Sequence, residues 1–512
     1  MNRLSKTICI LTVALLLCLP GLRTYAASPQ KRPNFLVILT DDQAPHTLST
    51  YGNTVCQTPN LDRLAKEGIV LDGAHHMGSW AGAVCLPSRT MIQTSVNVWR
   101  TEKIPDVRKR MNPKTYVHQP QKWMAELTED DLNYCSMPAI FHRAGYDTFR
   151  TCKYGNTYEA ANRLYAGRSD RHWRDNPVES SDWYREQVMG FLRERESAGA
   201  KKPFLIFFGF CQPHDPRVGK PDLLAKYGAV NENIPAAPNP KSPPLQPNYL
   251  PAHPFHHGHP GLRDEERVQG VMLKRDEATV RNELGREYAC IENIDIQIGI
   301  VLDKLETMGE LDNTYVLFTA DHGISVGRHG LMGKQNLYEH TWRVPFLVRG
   351  PGIKPGSRAL GNTYLMDILP TLCDLAGLPT SRTMDGRSFK PVLMGEEATI
   401  RDVLYGVYCG GTKPGMRAVK KGDWKLIKYD VLDGLVRKTQ LFNLKENPDE
   451  LLEQHHVPTV VAMTGATPKP NQRNLADDPA YAEKRKEMEA LLLEQMVKWG
   501  DPYRVWDQPD NN

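Results

Sequence analysis

The chain has 512 residues, with 64 Lys and Arg against 60 Asp and Glu, a formal charge of +4 at pH 7, and 40% hydrophobic side chains. A chain this long buries a sizeable core without disulfide staples, and the near balance of charge implies no nucleic-acid or polyanion-binding surface.

At the N-terminus, Arg3 and Lys6 precede an apolar run from Ile8 to Leu19 and then Thr24-Tyr25-Ala26-Ala27. This pattern predicts a signal peptide over residues 1–26, cleaved near Ala26 or Ala27, and hence a secreted or periplasmic protein with no membrane span. Losing Arg3, Lys6 and Arg23 with it lowers the formal charge from +4 to +1. The hydrophobic run Asn34 to Thr40 reads as a buried parallel strand and is followed by Asp41-Asp42. Next comes Cys85-Leu86-Pro87-Ser88-Arg89, running on into Thr90 to Thr94. Proline suits a first helical turn, so free backbone N–H groups, the Ser88 hydroxyl and the Arg89 guanidinium form an anion site beside Cys85. The plainer alternative is a buried cysteine ahead of a capped helix.

Two more runs, Phe204 to Phe210 and Thr314 to Ala320, also read as buried parallel strands. Gln212-Pro213-His214 follows the first, just beyond Cys211, and Asp321-His322-Gly323 follows the second. Ligand sites in open parallel sheets lie outside the carboxyl ends of strands, so three such clusters predict a metal and acid–base centre. Between Ile234 and Leu262 lie nine prolines and four histidines, His253, His256, His257 and His259. That predicts a long extended loop, either a solvated connection, a substrate-facing lid or a zinc site. After Gly285 an apolar stripe from Tyr288 to Leu305 predicts a scaffold helix. From about Ile400, short β-like runs at Val403-Leu404-Tyr405 and Trp424 to Ile427 precede a charged helix, Tyr481 to Trp499. Arg417 and Lys425 are expected at a surface or interface.

Ten cysteines fall to eight once Cys9 and Cys18 leave with the signal peptide, and they show no zinc spacing. One or two bridges are compatible with them, without a pairing that can be assigned.

The Cys-x-Pro-Ser-Arg run at Cys85 to Arg89 resembles that of the formylglycine-dependent sulfatases, the type I sulfatases of the alkaline phosphatase superfamily. Thr58 to Ala65 is similar to the family's first helix, with Thr58 as cap, Pro59 in the first turn and Gly68 as stop. Ala144 to Thr148 leading to Lys153, Gly333 to Glu339, and Arg343 to Phe346 agree too, so the resemblance covers roughly Pro33 to Lys428. It implies an α/β fold: a large, mostly parallel mixed sheet flanked by helices, with a smaller C-terminal antiparallel sheet and helix. The expected organisation is a signal peptide over 1–26, a catalytic domain over 27–399 and a small α+β domain over 400–512.

The resemblance also implies the chemistry. A formylglycine-generating or sulfatase-maturing enzyme would oxidise Cys85 to an aldehyde that hydrates to a diol. One hydroxyl attacks sulfur and expels the alcohol, and the other then collapses to eject sulfate. A divalent cation, Ca²⁺ by resemblance, with Mg²⁺ or another divalent ion as alternatives, would be held by Asp41, Asp42, Cys85, Asp321 and His322, where His322 stands in for the family's commoner Asn. Arg89 would brace the diol and metal carboxylates, Lys153 and Lys334 would hold sulfate oxygens, and His214 would protonate the leaving alkoxide.

One departure stands out. The family usually has Gly-Lys-x-His where this chain has Cys152-Lys153-Tyr154-Gly155, and Gly155 cannot take a proton. Another base (His75, His76 or His142), a shifted alignment, or an altered activity are the open explanations. The expected substrate is a sulfated carbohydrate or other sulfated small molecule. Trp80, Trp99, Trp173, His253 and His256 are candidate sugar contacts. A phosphonate monoester or phosphodiester hydrolase, and an inactive protein that binds sulfated ligands, are the alternatives.

Overall fold

Three seven- or six-residue strands, Asn34–Thr40, Phe204–Gly209 and Thr314–Ala320, are buried along their whole length. A strand apolar on both faces needs cover on both sides, and that requirement organises the molecule. The computed structural model describes residues 31–109, 111, 116–172, 177–232, 239–258 and 275–509. The expected signal peptide lies outside them.

The main sheet has eight strands in the order Ser357–Ala359, Ile69–Leu71, Phe346–Arg349, Thr314–Ala320, Asn34–Thr40, Phe204–Gly209, Asp147–Thr151, Gly167–Arg168. Only Phe346–Arg349 runs antiparallel to its neighbours; the other pairings are parallel. Alternate residues supply two cores. Leu36, Ile38, Ile206, Phe208, Val316 and Phe318 pack with side chains of helices Pro59–Glu67, Ser180–Ser197 and Glu277–Thr307. Phe35, Val37, Leu205, Phe207 and Leu317 pack with helices Met137–Arg143 and Ile368–Leu375 and with Ile92 of helix Cys85–Thr94. The fold is thus α/β, helices on both faces of a mostly parallel sheet.

A second, five-stranded sheet runs in the order Val436–Asn443, Trp424–Val431, Gly415–Lys421, Val403–Tyr408, Gly78–Ser79. Its first four strands are antiparallel, and helix Ala482–Trp499 packs on it through Met488, Leu492 and Met496. The fifth strand comes from far upstream: Gly78 and Ser79 pair in parallel with Val407 and Tyr408. Glycine is required at position 78, where φ is +97° and a Cβ would collide with the Val407 carbonyl.

Several expectations need correction. The scaffold helix starts at Glu277 rather than after Gly285, because the Asp276 carboxylate caps it by accepting from the Thr279 N–H at 2.8 Å. Thr58 does stand before helix Pro59–Glu67, but its side chain makes no capping bond. Arg417 and Lys425 are fully buried rather than exposed. Arg417 pairs with Asp501, and Lys425 with Glu339 at 3.0 Å and Glu450 at 2.8 Å. The cysteines among the described residues are all free and buried, so none of them is bridged. No helix among the described residues is long and apolar enough to cross a membrane.

Candidate active site

Strand register creates the site. Thr40 pairs with Ala320, so Asp41 and Asp321 leave the sheet side by side at its carboxyl edge. Backbone bonds hold these exits together: the Asp321 N–H donates to Thr40 O at 3.2 Å, and the Asp41 N–H donates to Gln212 O at 3.3 Å. Asp42 takes a left-handed backbone, φ +66°, and its N–H donates to Asp321 Oδ1 at 3.3 Å. Asp is among the few residues that accept this conformation at modest cost.

Helix Cys85–Thr94 begins at the cysteine itself and points its first turn at these carboxylates. Cys85 Sγ lies 3.3 Å from Asp41 Oδ1, 3.2 Å from His322 Nε2, and 3.8 Å from the Nζ atoms of both Lys153 and Lys334. Lys153 is paired with Asp41, and Lys334 reaches both oxygens of Asp42 at 2.9 and 3.0 Å. Arg89 donates from Nε to Asp321 Oδ2 at 2.9 Å and from a terminal nitrogen to Cys152 Sγ at 2.8 Å. His214 stands at the rim, its Nε2 4.0 Å from Asp42 Oδ2, while its Nδ1–H donates to Asp215 O at 2.7 Å. The structure therefore brings together Asp41, Asp42, Cys85, Arg89, Lys153, His214, Asp321, His322 and Lys334.

Burial dominates the electrostatics. It pushes the Cys85 thiol well above its ordinary range, with Lys334 opposing. Burial also raises Asp42, against the pull of His214 and Lys334. Asp321 moves the other way: burial acts to raise it, but His322, Arg89 and the two lysines together hold it well below the usual carboxylate range. Lys153 drops to about 8 through burial, although Asp321 opposes the shift. Burial holds His322 at about 4 and His214 at about 3, so both rings are neutral at pH 7.

Residues able to hold an ion converge in two overlapping groups, Asp41, Cys85, Asp321 with His322, and Asp41, Asp42, Cys85 with His214. His322 gives the sharper sign. Its Nδ1–H donates to Gly323 O at 2.9 Å, which leaves the Nε2 lone pair facing Asp42 Oδ1 at 3.1 Å and Asp321 Oδ1 at 3.5 Å. Lone pairs facing one another inside a buried pocket repel unless a cation lies between them, and this is the tautomer a metal-ligating histidine adopts. The donor set, mostly hard oxygen, suits Ca²⁺ or Mg²⁺.

The histidines nominated to replace the one missing at Gly155 lie elsewhere. His75 donates from Nδ1 to Gly73 O at 2.9 Å, and its Nε2 faces Glu339 at 3.4 Å. His76 has both nitrogens engaged, with Thr341 O and the Gly78 N–H, and its ring centroid lies 6.2 Å from that of His322, edge to face. His142 sits in helix Met137–Arg143. The imidazoles beside the cysteine are His322 and His214. Of the candidate sugar contacts, Trp80 lines a cavity next to the site, Trp99 is buried in the core and Trp173 lies outside the described residues. His253 donates from Nδ1 to the His329 carbonyl, and the described histidines of the proline-rich stretch converge on no ion site. Cys152, which receives Arg89, is a partner that no sequence pattern announces.

The family described as Sulfatase matches residues 33–378, and the family described as N-sulphoglucosamine sulphohydrolase, C-terminal, matches residues 327–469. An N-acetylglucosamine-6-O-sulfatase of Bacteroides thetaiotaomicron is 25% identical, over 93% of this chain and 89% of that protein. An Extracellular sulfatase SULF-1 homolog of Drosophila melanogaster is 27% identical over 73% of this chain, and the match spans 32% of that longer protein. The solved structure of BT4656 in complex with its substrate D-glucosamine-2-N,6-O-disulfate has a TM-score of 0.68 and 21% identity, covering 92% of this chain and 99% of that one, a likeness of fold. With two-thirds of its length matched by the family and the Cys85 centre built at the expected sheet edge, the chain belongs to the sulfatases, sulfuric ester hydrolases of the alkaline phosphatase superfamily.

Proposed function

We propose that the protein hydrolyses the sulfate ester of a sulfated carbohydrate, using a formylglycine made from Cys85 and one divalent cation, Ca²⁺, held by Asp41, Asp42, Asp321 and His322. The observation that carries this reading is the single buried point where Cys85 Sγ meets a carboxylate and an imidazole, with two lysine ammonium groups each 3.8 Å away. Oxidation of Cys85 by a maturing enzyme would supply an oxygen nucleophile with a second hydroxyl, so that sulfate leaves without a separate attack by water.

The remaining work falls to the chain's own side chains. Lys153 and Lys334 flank the point where sulfate oxygens would sit and neutralise charge as the S–O bond breaks, worth ~10²–10³ in rate per donor in comparable sites. Arg89, tied to Asp321 and Cys152, keeps the first helical turn and the carboxylates in fixed relation. His214 protonates the leaving alkoxide from Nε2. Because its Nδ1–H is committed to Asp215 O, Nε2 carries a proton only in the imidazolium form, and the anionic substrate must draw that proton in. The N-acetylglucosamine-6-O-sulfatase and the disulfated glucosamine bound by BT4656 support a sulfated sugar as substrate. Processing near Ala26 or Ala27 and secretion to the periplasm or beyond complete the proposal.

The test is peptide mass analysis of Cys85 from protein made in its native host, followed by ion chromatography of the products from sulfated sugars and matched phosphonate esters. An aldehyde or its hydrate with released sulfate is expected. An unmodified thiol from a host that matures other sulfatases, or release of phosphonate products alone, would overturn the reading.

A further inference from the structure

A cavity of about 450 Å³ lies between the loop at Trp80 and the turn at Gly155. Its lining includes Leu86, the chain neighbour of Cys85, and Gly155 with Asn156, two and three residues beyond Lys153. The third connection is a hydrogen bond: Gln335, next to Lys334, donates to the carbonyl of Gly82 on the same wall at 3.2 Å. The volume lies within the ~300–1,000 Å³ typical of small-molecule sites. At one side, Gly155 contributes space instead of a side chain. Its φ is +87°, a conformation that resists any other residue, and a Cβ there would meet nothing within 4 Å.

The opposite side is built around Trp80. The indole N–H donates to Thr101 Oγ1 at 2.8 Å, which fixes the ring, and the Arg108 guanidinium lies 4.5 Å above the ring centroid. The other charges of the lining are matched. Glu159 accepts both terminal nitrogens of Arg168 at 2.6 and 2.8 Å, Lys109 pairs with Asp106, and Lys413 sits over the Tyr503 ring at 5.2 Å and beside Glu102. Arg108 makes no salt bridge among the described residues. A stacked guanidinium keeps its planar fork free and pre-oriented for an oxyanion, which a flexible lysine does not.

We infer that this cavity is the subsite for the alcohol portion of the substrate, and that Arg108, braced on Trp80, receives a second anionic group, a sulfate or carboxylate, borne by the same sugar or its neighbour. The inference rests on the sulfatase reading of Cys85 and narrows it from a sulfated carbohydrate to one with at least two negative charges.

The experiment compares kcat/KM of the matured enzyme on monosulfated hexoses and hexosamines with that on counterparts carrying a second sulfate. The doubly charged substrate is expected to be favoured by about tenfold or more, mainly through KM, as one charge-assisted bidentate contact warrants. Arg108→Ala should bring the ratio near one, Arg108→Lys should restore only part of it, and added salt should erode it in the wild type. A wild-type ratio of one, or a ratio that Arg108→Ala leaves unchanged, would overturn the inference. If no sugar releases sulfate, the reading of Cys85 fails by itself. Calorimetric binding of the same pairs to Cys85→Ala protein then decides the subsite, with the same Arg108-dependent preference expected and its absence fatal.

Discussion

Two sets of buried charges lie within five residues of each other on one segment, and they are built on opposite principles. Glu339 faces Lys420 at 2.9 Å and Lys425 at 3.0 Å, while Glu450 takes Lys425 at 2.8 Å. Burial acts to raise Glu339, yet the two lysines outweigh it and hold the carboxyl well below its usual range. Each donor there meets an acceptor, and the network is closed. At Lys334 the arrangement is different: carboxylate oxygens and an imidazole lone pair face one another around Cys85. A closed network ties the five-stranded sheet to this segment, whereas around Cys85 the two lysines and Arg89 hold the carboxylates while the His322 Nε2 lone pair still faces two of them.

Cys85→Ala should break the comparison most sharply. Sulfate release should fall by about 10⁶-fold, as expected when a nucleophile acting in a unit is removed, while the urea midpoint changes little. Arg417→Met strikes a separate closed pair in the same five-stranded sheet: stranding Asp501 in the interior should cost about 3–5 kcal/mol in urea unfolding, with kcat of the folded fraction retained. Lys334→Ala lies between the two, lowering kcat by about 10²–10³ without a matching loss of stability. Chelation should abolish turnover and lower Tm, and Ca²⁺ should restore both; a Tm unmoved by chelator would argue against a resident ion.

The smallest expected effect is on pH dependence. His329 stacks on Tyr338 at 3.9 Å and on His340 at 5.2 Å, and meets His455 at 5.3 Å, while His253 bonds to its carbonyl at 2.8 Å. Burial holds His253 and His455 at about 4, below the 6.5 of an unfolded chain. Above pH 6.5 both states carry neutral rings and stability is flat. Between 6.5 and 4 only the unfolded chain takes up protons, so Tm should decline steadily across that window. His455→Gln should shallow the decline without changing kcat at pH 7.5.

The sheet and its active edge were legible in the sequence because unbroken apolar runs mark strands covered on both faces, and Asn34–Thr40 and Thr314–Ala320 match their predicted limits. The meeting of Asp41, His214 and Asp321 was legible from their places after three buried strands, whereas bringing Cys85 and Lys153 to the same point took the family motif, since no spacing along the chain places those two segments. The start of the scaffold helix was missed because Gly285 looked like a boundary, and packing overrode propensity there. Burial of Arg417 and Lys425 was missed for a related reason: a cation in a strand reads as solvent-facing until its acid, Asp501 or Glu339, is placed by a distant element. Arg108 on Trp80 left no pattern at all, being a contact across a loop.

The parallel pairing of Gly78 and Ser79 with Val407 and Tyr408 sets a clock on synthesis. The upstream partner leaves the ribosome roughly 330 residues ahead of the downstream one, an interval of tens of seconds at ~5–20 residues per second. Until it ends, the segment leading into Cys85 has no sheet to join, and once it ends the thiol is sealed with no solvent-accessible surface. Any enzyme that must reach this cysteine therefore has to act before that sheet closes over it.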